Sequence, residues 1–461
     1  MIINKSVATK VLESALSTGG DFAEIFAEDT LSSSIRMIDN VIETALSGKL
    51  YGAGIRIFKG LKSVYATTND LSENGLILCA KKAATVIGEL KSDIEVVLSE
   101  TKVTNIHPIK LFPSDVTNKR KADLVKSAYA SSKNYSDEII QTSVYFGDTD
   151  QNIFIANSDG IYTSDRRVYN RIAVSSVASD GTENQVGFEG PGNMKGFETF
   201  EKDIDVDAIG KSSAKQAITM LHAKDCPSGQ MTVAIENGFG GVIFHEACGH
   251  SLEATSVSKK SSEFTGRLGE VIANEKVTAI DDGTLSGEWG SINIDDEGTK
   301  SQRNVLIENG VLKGYLIDKM GGRHMDMPIT GSSRRQSYQF APTSRMTNTY
   351  IDNGPDKNED IIKSIENGIY AKRMGGGSVN PATGEFNFAV SEGYLVKNGE
   401  IGEPIRGACL IGKGSEILKN IDMVGQNLAF GTGMCGSMSG SIPVNVGQPL
   451  IRVSNIIVGG K

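Results

Sequence analysis

A chain of 461 residues, 39% hydrophobic and 22% charged, is long enough to bury a large core without staples and to form roughly two to four domains. Its net charge of −9 argues against a broad nucleic-acid-binding face, so no direct nucleic-acid partner is expected. Five scattered cysteines (Cys79, Cys226, Cys248, Cys409, Cys435) with no C-x-x-C pair indicate reduced, cytoplasmic usage. The first residues carry no continuous apolar run, and no segment approaches about 18 apolar residues, so neither a signal peptide nor a membrane span is expected. The 52 glycines against 11 prolines suggest many tight turns between strands.

Taken in order, the chain opens with a helix capped by Asn4 or Ser6, with Val7, Val11, Leu12, Ala15 and Leu16 on one face and Gly19-Gly20 ending it. Strand-like stretches follow at Phe22 to Glu28, Ser34 to Met37, Tyr51 to Phe58 and Ser63 to Ala66. Helices are expected near 71–90 and 117–131. Strands are expected from Ile139 to Phe146 and from Asn152 to Ala156, with turns at Asn157-Ser158-Asp159-Gly160 and Ser179-Asp180-Gly181. A helix near 205–222 closes this half. His107 and His222 stand alone and read as packing or surface residues. The break Asp225-Cys226-Pro227-Ser228-Gly229 divides the chain into an N-terminal α+β domain, 1–225, and a β-rich C-terminal domain, 226–461. The first would serve as scaffold, in dimerisation or in enclosing substrate. The second carries a candidate metal-binding helix, and the fold class is α+β.

That helix follows a strand from Met231 to Ile235 and reads Gly240-Gly241-Val242-Ile243-Phe244-His245-Glu246-Ala247-Cys248-Gly249-His250-Ser251-Leu252-Glu253. Two imidazoles with a glutamate after the first match the zincin arrangement, in which the His pair holds the metal and the Glu acts on water. The usual spacing is i,i+4; here it is i,i+5, which on an ideal helix separates the rings by roughly 140°. One metal takes both only if a residue is absorbed, as in a π-type bulge, and Gly249 is the expected place. The competing reading is a buried helix with two hydrogen-bonded histidines.

Beyond the helix the chain is polar to about Gly269. It continues as short strands with glycine turns at Asp281-Asp282-Gly283, Glu308-Asn309-Gly310 and Lys397-Asn398-Gly399. Asp295-Asp296-Glu297 reads as a solvated turn in preference to a cation site. Arg334-Arg335 reads either as a clamp for a carboxylate or carbonyl, or as a structural ion pair. A two-His site needs a third ligand. Glu253 is crowded against His250 on the same turn, and Cys248 points to another face. Cys435, in Gly431-Thr432-Gly433-Met434-Cys435-Gly436-Ser437-Met438-Ser439-Gly440, is the remaining soft donor; its flanking glycines would let the backbone carry a thiolate into a crowded site.

With these segments in hand, the sequence resembles the TldD/PmbA metallopeptidases, also called modulators of DNA gyrase, and within them the catalytic TldD-type member. The resemblance rests on Phe244 to Glu253 as the HExxxH segment, Asp281-Asp282-Gly283-Thr284, Gly310 to Leu316, Arg334-Arg335-Gln336-Ser337-Tyr338, Arg345-Met346-Thr347-Asn348-Thr349-Tyr350, Thr383-Gly384-Glu385-Phe386, Glu392-Gly393-Tyr394-Leu395, Arg406-Gly407-Ala408 and the Cys435 turn running to Gly447-Gln448-Pro449. It covers most of the second half and, more weakly, the first. It implies zinc held by His245, His250 and Cys435, in agreement with the reading of the residues, with Glu246 as general base. It also implies cytosolic hydrolysis of short or unfolded peptides by a two-subunit assembly, with either a PmbA/TldE-like subunit or a second copy. Arg334, Arg335, Tyr338 and Tyr350 are the expected residues for gripping substrate. Two features depart from the family pattern: His324, and the absence of a lysine soon after Cys435. The H-E-x-x-G-H string is also similar to that of dipeptidyl-peptidase III, but the downstream E-E-x-x-x-E those enzymes use is missing. The alternative to an enzyme is a non-catalytic, metal-stabilised binding partner in a TldD/TldE-like assembly.

Overall fold

The computed structural model describes residues 2–91, 94–380 and 383–460. Its first half is built on one eight-stranded sheet in which four strands are unusually long: Phe22–Ile38, Val41–Lys59, Ile139–Asn157 and Ile161–Ser179. The chain does not break at the polar Ser32-Ser33-Ser34, where sequence alone suggests two separate strands. Ser33 pairs with Ser47 on one side and Asp148 on the other, so the ladder runs through and satisfies the backbone. The same holds for Ile139–Asn157, which stays paired with Phe22–Ile38 and Ile161–Ser179 through Gly147-Asp148.

Helices cover the ends of this sheet. Lys5–Leu16, capped by Asn4, turns Ala8, Val11, Leu12, Ala15 and Leu16 onto the sheet, beside Glu73–Ile87. Asn118–Lys133 and Val206–Leu221 pack near the other end, around Phe146 and Val174 or Ala178.

The second half holds two further sheets. An eight-stranded one contains, in spatial order, Asn367–Val379, Gly229–Ile235, Ile451–Gly459, Cys409–Lys413, Glu385–Lys397 and Glu400–Arg406. A six-stranded one runs Val311–Leu312, Arg303–Glu308, Ala279–Asp282, Asn348–Ile351, Gly440–Gln448 and Ala429–Ser437, the last at its edge. The turns expected at Asn309-Gly310 and Asn398-Gly399 are hairpin turns with both residues at positive φ, as two-residue connections of this hand require. The largest core joins both sheets to Val242, Ile243, Phe244, Ala247 and Cys248. The histidine-bearing segment therefore runs between two sheets. Among the described residues no helix is long and apolar enough to cross a membrane.

Asp295-Asp296-Glu297 is not a solvated turn. All three side chains are buried, and the segment docks on the first sheet: Arg167 Nη1 donates to Asp296 Oδ1 at 2.8 Å, and Arg56 bridges Glu24 and Glu297. The run is charged because it meets arginines of the N-terminal half inside the molecule.

Candidate metal centre

The strand Gly229–Ile235 hands the chain to a short 3-10 turn, Phe239–Gly241, and then to Val242–Phe244. Gly241 is needed here: a Cβ would stand 2.5 Å from the backbone of Gly447. Backbone meets backbone at that point, which seats the helix start directly on the strand Gly440–Gln448, whose hairpin partner carries Cys435. From His245 to Gly249 the chain forms a π turn, closed by the His250 N–H donating to His245 O, five residues back. The widened turn absorbs the extra residue between the histidines and brings both rings to one side, with centroids 5.1 Å apart and planes at 84°. Gly249 lies at the end of this turn with ordinary helical φ, so its backbone conformation does not call for glycine. Its lack of a side chain is explained by Met346, whose Sδ a Cβ would approach to 2.3 Å.

His245 Nε2 lies 3.4 Å and His250 Nε2 3.3 Å from Cys435 Sγ. One donor atom from each of the three residues falls within 4.8 Å of the others. A tetrahedral zinc with ordinary Zn–S and Zn–N bonds separates such S and N atoms by about 3.5 Å, so the set fits that ion in both chemistry and spacing. Burial alone would push the Cys435 thiol up, but hydrogen bonds from His245 and His250 outweigh it and bring it down to about 4, the thiolate a metal requires. For His250, burial works against the charged ring, yet Glu253 and Cys435 raise its pKa well above the ordinary value.

Cys435 is held from behind. It pairs with Ile442 across the hairpin, while the fully buried Arg345 donates from Nη2 to Cys435 O at 2.6 Å and from Nη1 to Ser439 Oγ and Gly440 O. The flanking glycines play different parts. Gly431 is pressed against Phe239, whereas Gly436 faces open space, so crowding does not explain the glycine beside the cysteine. Glu246 is half-buried, with Oε2 3.8 Å from His250 Nε2. Glu253 is a neighbour of His250 in a useful sense: its Oε2 lies 3.2 Å from His250 Nδ1, on the ring edge away from Cys435, where a carboxylate fixes tautomer and orientation. Sequence reading set Glu253 aside as too close to be a ligand and missed this role. Cys248 is buried with Sγ 3.8 Å from Gly414 O, away from the cluster.

The four residues expected to grip substrate lie elsewhere. Arg335 is buried, with Nη2 donating to Glu24 Oε1 at 2.6 Å and to Asp296 O at 2.8 Å, and Nη1 to Tyr65. Arg334 is buried with Nη1 on Met346 O at 2.8 Å. Tyr338 packs with Phe26, Ile153, Ile155 and Ile294, its backbone N–H held by Glu28. Tyr350 is buried edge-on to Phe430 at 5.4 Å. Arg335 makes an ion pair with Glu24 inside the protein, whereas Arg334 makes no ion pair among the described residues and engages only the Met346 carbonyl.

Three family models cover most of the chain: PmbA/TldA metallopeptidase domain 1 at 23–87, the central domain at 112–221 and the C-terminal domain at 228–460. Over 452 residues the chain is 35% identical to a metalloprotease TldD homolog of Buchnera aphidicola from Acyrthosiphon pisum, covering 95% of this chain and 93% of that protein. The chain belongs to the PmbA/TldD metallopeptidase family. Another relative in this family, the metalloprotease TldD homolog of Haemophilus influenzae, is 34% identical, covering 95% of this chain and 93% of its own length. Among solved structures the fold is shared with a protein described as a modulator of a DNA gyrase from Thermotoga maritima, with TM-score 0.79 and 20% identity over 95% of this chain and 96% of that one. TldE from Thermococcus kodakarensis has the same fold, with TM-score 0.73 and 19% identity over 96% of this chain and 97% of its own. The α+β class expected from sequence is the class of this PmbA/TldD chain.

Proposed function

We propose that this chain is a zinc-dependent peptidase that hydrolyses short or unfolded peptides, with His245, His250 and Cys435 as the metal ligands and Glu246 as the general base. The observation that carries the reading is the convergence of two imidazoles and a thiolate within 4.8 Å, on a π turn that also presents Glu246. Zinc bound there would supply Lewis-acid polarisation of the scissile carbonyl and of the attacking water, more weakly than at a three-histidine site because the thiolate donates more charge. The chain's own residues do the rest. Glu246 takes the proton of the attacking water and passes it to the leaving amine. Glu253 holds the His250 ring, and Arg345 holds the Cys435 hairpin. The Ala429–Ser437 strand lies at the edge of its sheet, bridged by Gly238 at Phe430 and by Trp289 at Gly433 O, so residues 434–437 beside the metal cluster are where an extended peptide can pair by its main chain with little demand on sequence.

Five free cysteines support a reducing, cytoplasmic setting, and the net charge of −9 leaves nucleic acid out of the reading. The shared fold with TldE supports assembly with a related chain or a second copy. Glu246→Gln keeps the acceptor's size and removes its basicity, so it retains the metal and loses peptide cleavage by a factor of about 100 or more. A variant that cleaves at the wild-type rate sinks the base assignment.

A further inference from the structure

A cleft of about 930 Å³ is lined by residues 430–434 of the strand that carries Cys435, together with residues near 186–191 and 370–376. Most of its charges are matched within the protein. Arg373 pairs with Glu189 and Glu392, Lys372 pairs with Glu392, and Glu236 accepts from the Tyr370 hydroxyl. Arg171 differs. It lines this cleft and also the adjoining one of about 730 Å³, as does Met434, the residue before Cys435. Its Nε donates to Gly190 O at 3.2 Å, and among the described residues its terminal nitrogens have no hydrogen-bond acceptor and no carboxylate partner. Arg171 is half-buried, its guanidinium lies 5.8 Å from the centre of the Trp289 ring, and Trp289 Nε1 donates to Gly433 O at 2.8 Å. Gly433 is two residues from Cys435, about 7 Å along a strand. Burial disfavours the charge on Arg171, and only the Tyr145 phenol opposes that.

A guanidinium on a cleft wall, with forked donors that no protein group takes, suits a planar carboxylate held by two bonds. We propose that Arg171 is a specificity residue that anchors a carboxylate of the bound peptide, supplied by the peptide's C-terminus or by an Asp or Glu side chain. The inference rests on the peptidase reading of the same site. It adds a preference that main-chain pairing along an edge strand cannot give, because that pairing is blind to charge.

The test uses the full-length protein, in the assembly in which it purifies, with Glu246→Gln to prevent turnover. Fluorescence anisotropy compares four labelled peptides: one sequence as C-terminal acid and as amide, and an amidated peptide with an internal Glu or Gln. With Arg171 present, the carboxylate form of at least one pair binds tenfold or more tighter, and the responding pair identifies the source of the carboxylate. In Arg171→Ala that ratio falls below about threefold, while Arg171→Lys keeps part of it, as a point charge does. The readout is a ratio between peptides, which general loss of packing does not move. Equal binding within both pairs, no binding of any of the four, or a ratio that survives Arg171→Ala overturns the proposal. Cleavage of the same peptides by the Glu246 protein separates the two readings. Cleavage without a preference removes the anchor and leaves the peptidase, whereas a preference without cleavage removes the peptidase and leaves the anchor.

Discussion

At Gly249 a single methyl group has to displace the end of a buried methionine. A Cβ would sit 2.3 Å from Met346 Sδ, and Met346 is fully buried with its backbone oxygen held by Arg334. Gly249→Ala is therefore expected to destabilise the fold by about 1–3 kcal/mol through overpacking, read from the urea midpoint; a loss below about 0.5 kcal/mol would mean the site relaxes freely. Single residues also show where sequence reading reaches and where it stops. The grouping of His245, His250 and Cys435 was legible because two imidazoles at i,i+5 need a third soft donor to make a site. Glu253 and Arg345 were not: each acts by touching a ligand residue from behind, and one-dimensional spacing says nothing about Nδ1 or a carbonyl oxygen. Arg335 misled for the converse reason. An arginine in a Gly/Ser turn has the same sequence signature whether it faces solvent or, as here, Glu24 of a strand more than three hundred positions earlier.

At the scale of elements, the π turn was foreseeable from one constraint. Two rings at i,i+5 can share an ion only if the helix widens, and the His250 N–H donating to His245 O is that widening. The helix Lys5–Leu16 was readable from its cap Asn4 and its apolar spacing, and Val206–Leu221 from apolar spacing; in the structure Asp205 also accepts from the first turn of the second. The long strands were not. Polar stretches such as Ser32-Ser33-Ser34 lower local β propensity, but in Phe22–Ile38 they are paired on both sides, and the ladder overrides the local preference. Glycine reads poorly for a similar reason. Gly241 and Gly431 admit close neighbours, while Gly436 has open space beside it, and no pattern of residues distinguishes them.

Across the whole molecule, the two halves meet through buried charge. Glu24 and Arg56 of the first sheet face Glu297 and Arg335, and Arg167 faces Asp296. Such a network tolerates little displacement, because a partner withdrawn leaves a charge unpaired inside the protein. Asp318 stands at its margin and caps Lys319–Met325 by accepting from the Gly321 N–H. Burial pushes its carboxyl up, Glu297 adds to the rise and Arg56 opposes it, bringing it to about 7. A folded-state pKa raised from 3.8 gives stability that is full below about pH 4 and is lost as pH climbs to about 7. Asp318→Asn keeps the cap acceptor and removes the titration, so across that window its unfolding temperature declines less than that of the wild type. Parallel curves for the two proteins would remove Asp318 as the source.

What the His245, His250 and Cys435 cluster holds decides whether this chain can work as a metallopeptidase. The direct measurement is metal content by elemental analysis of the wild type and of Cys435→Ser, both purified without chelator. About one zinc per chain in the wild type, lost or strongly reduced in the variant, is the predicted result. Zinc retained equally by both proteins would take Cys435 out of the site, and a wild type without metal would contradict the metallopeptidase reading of this chain.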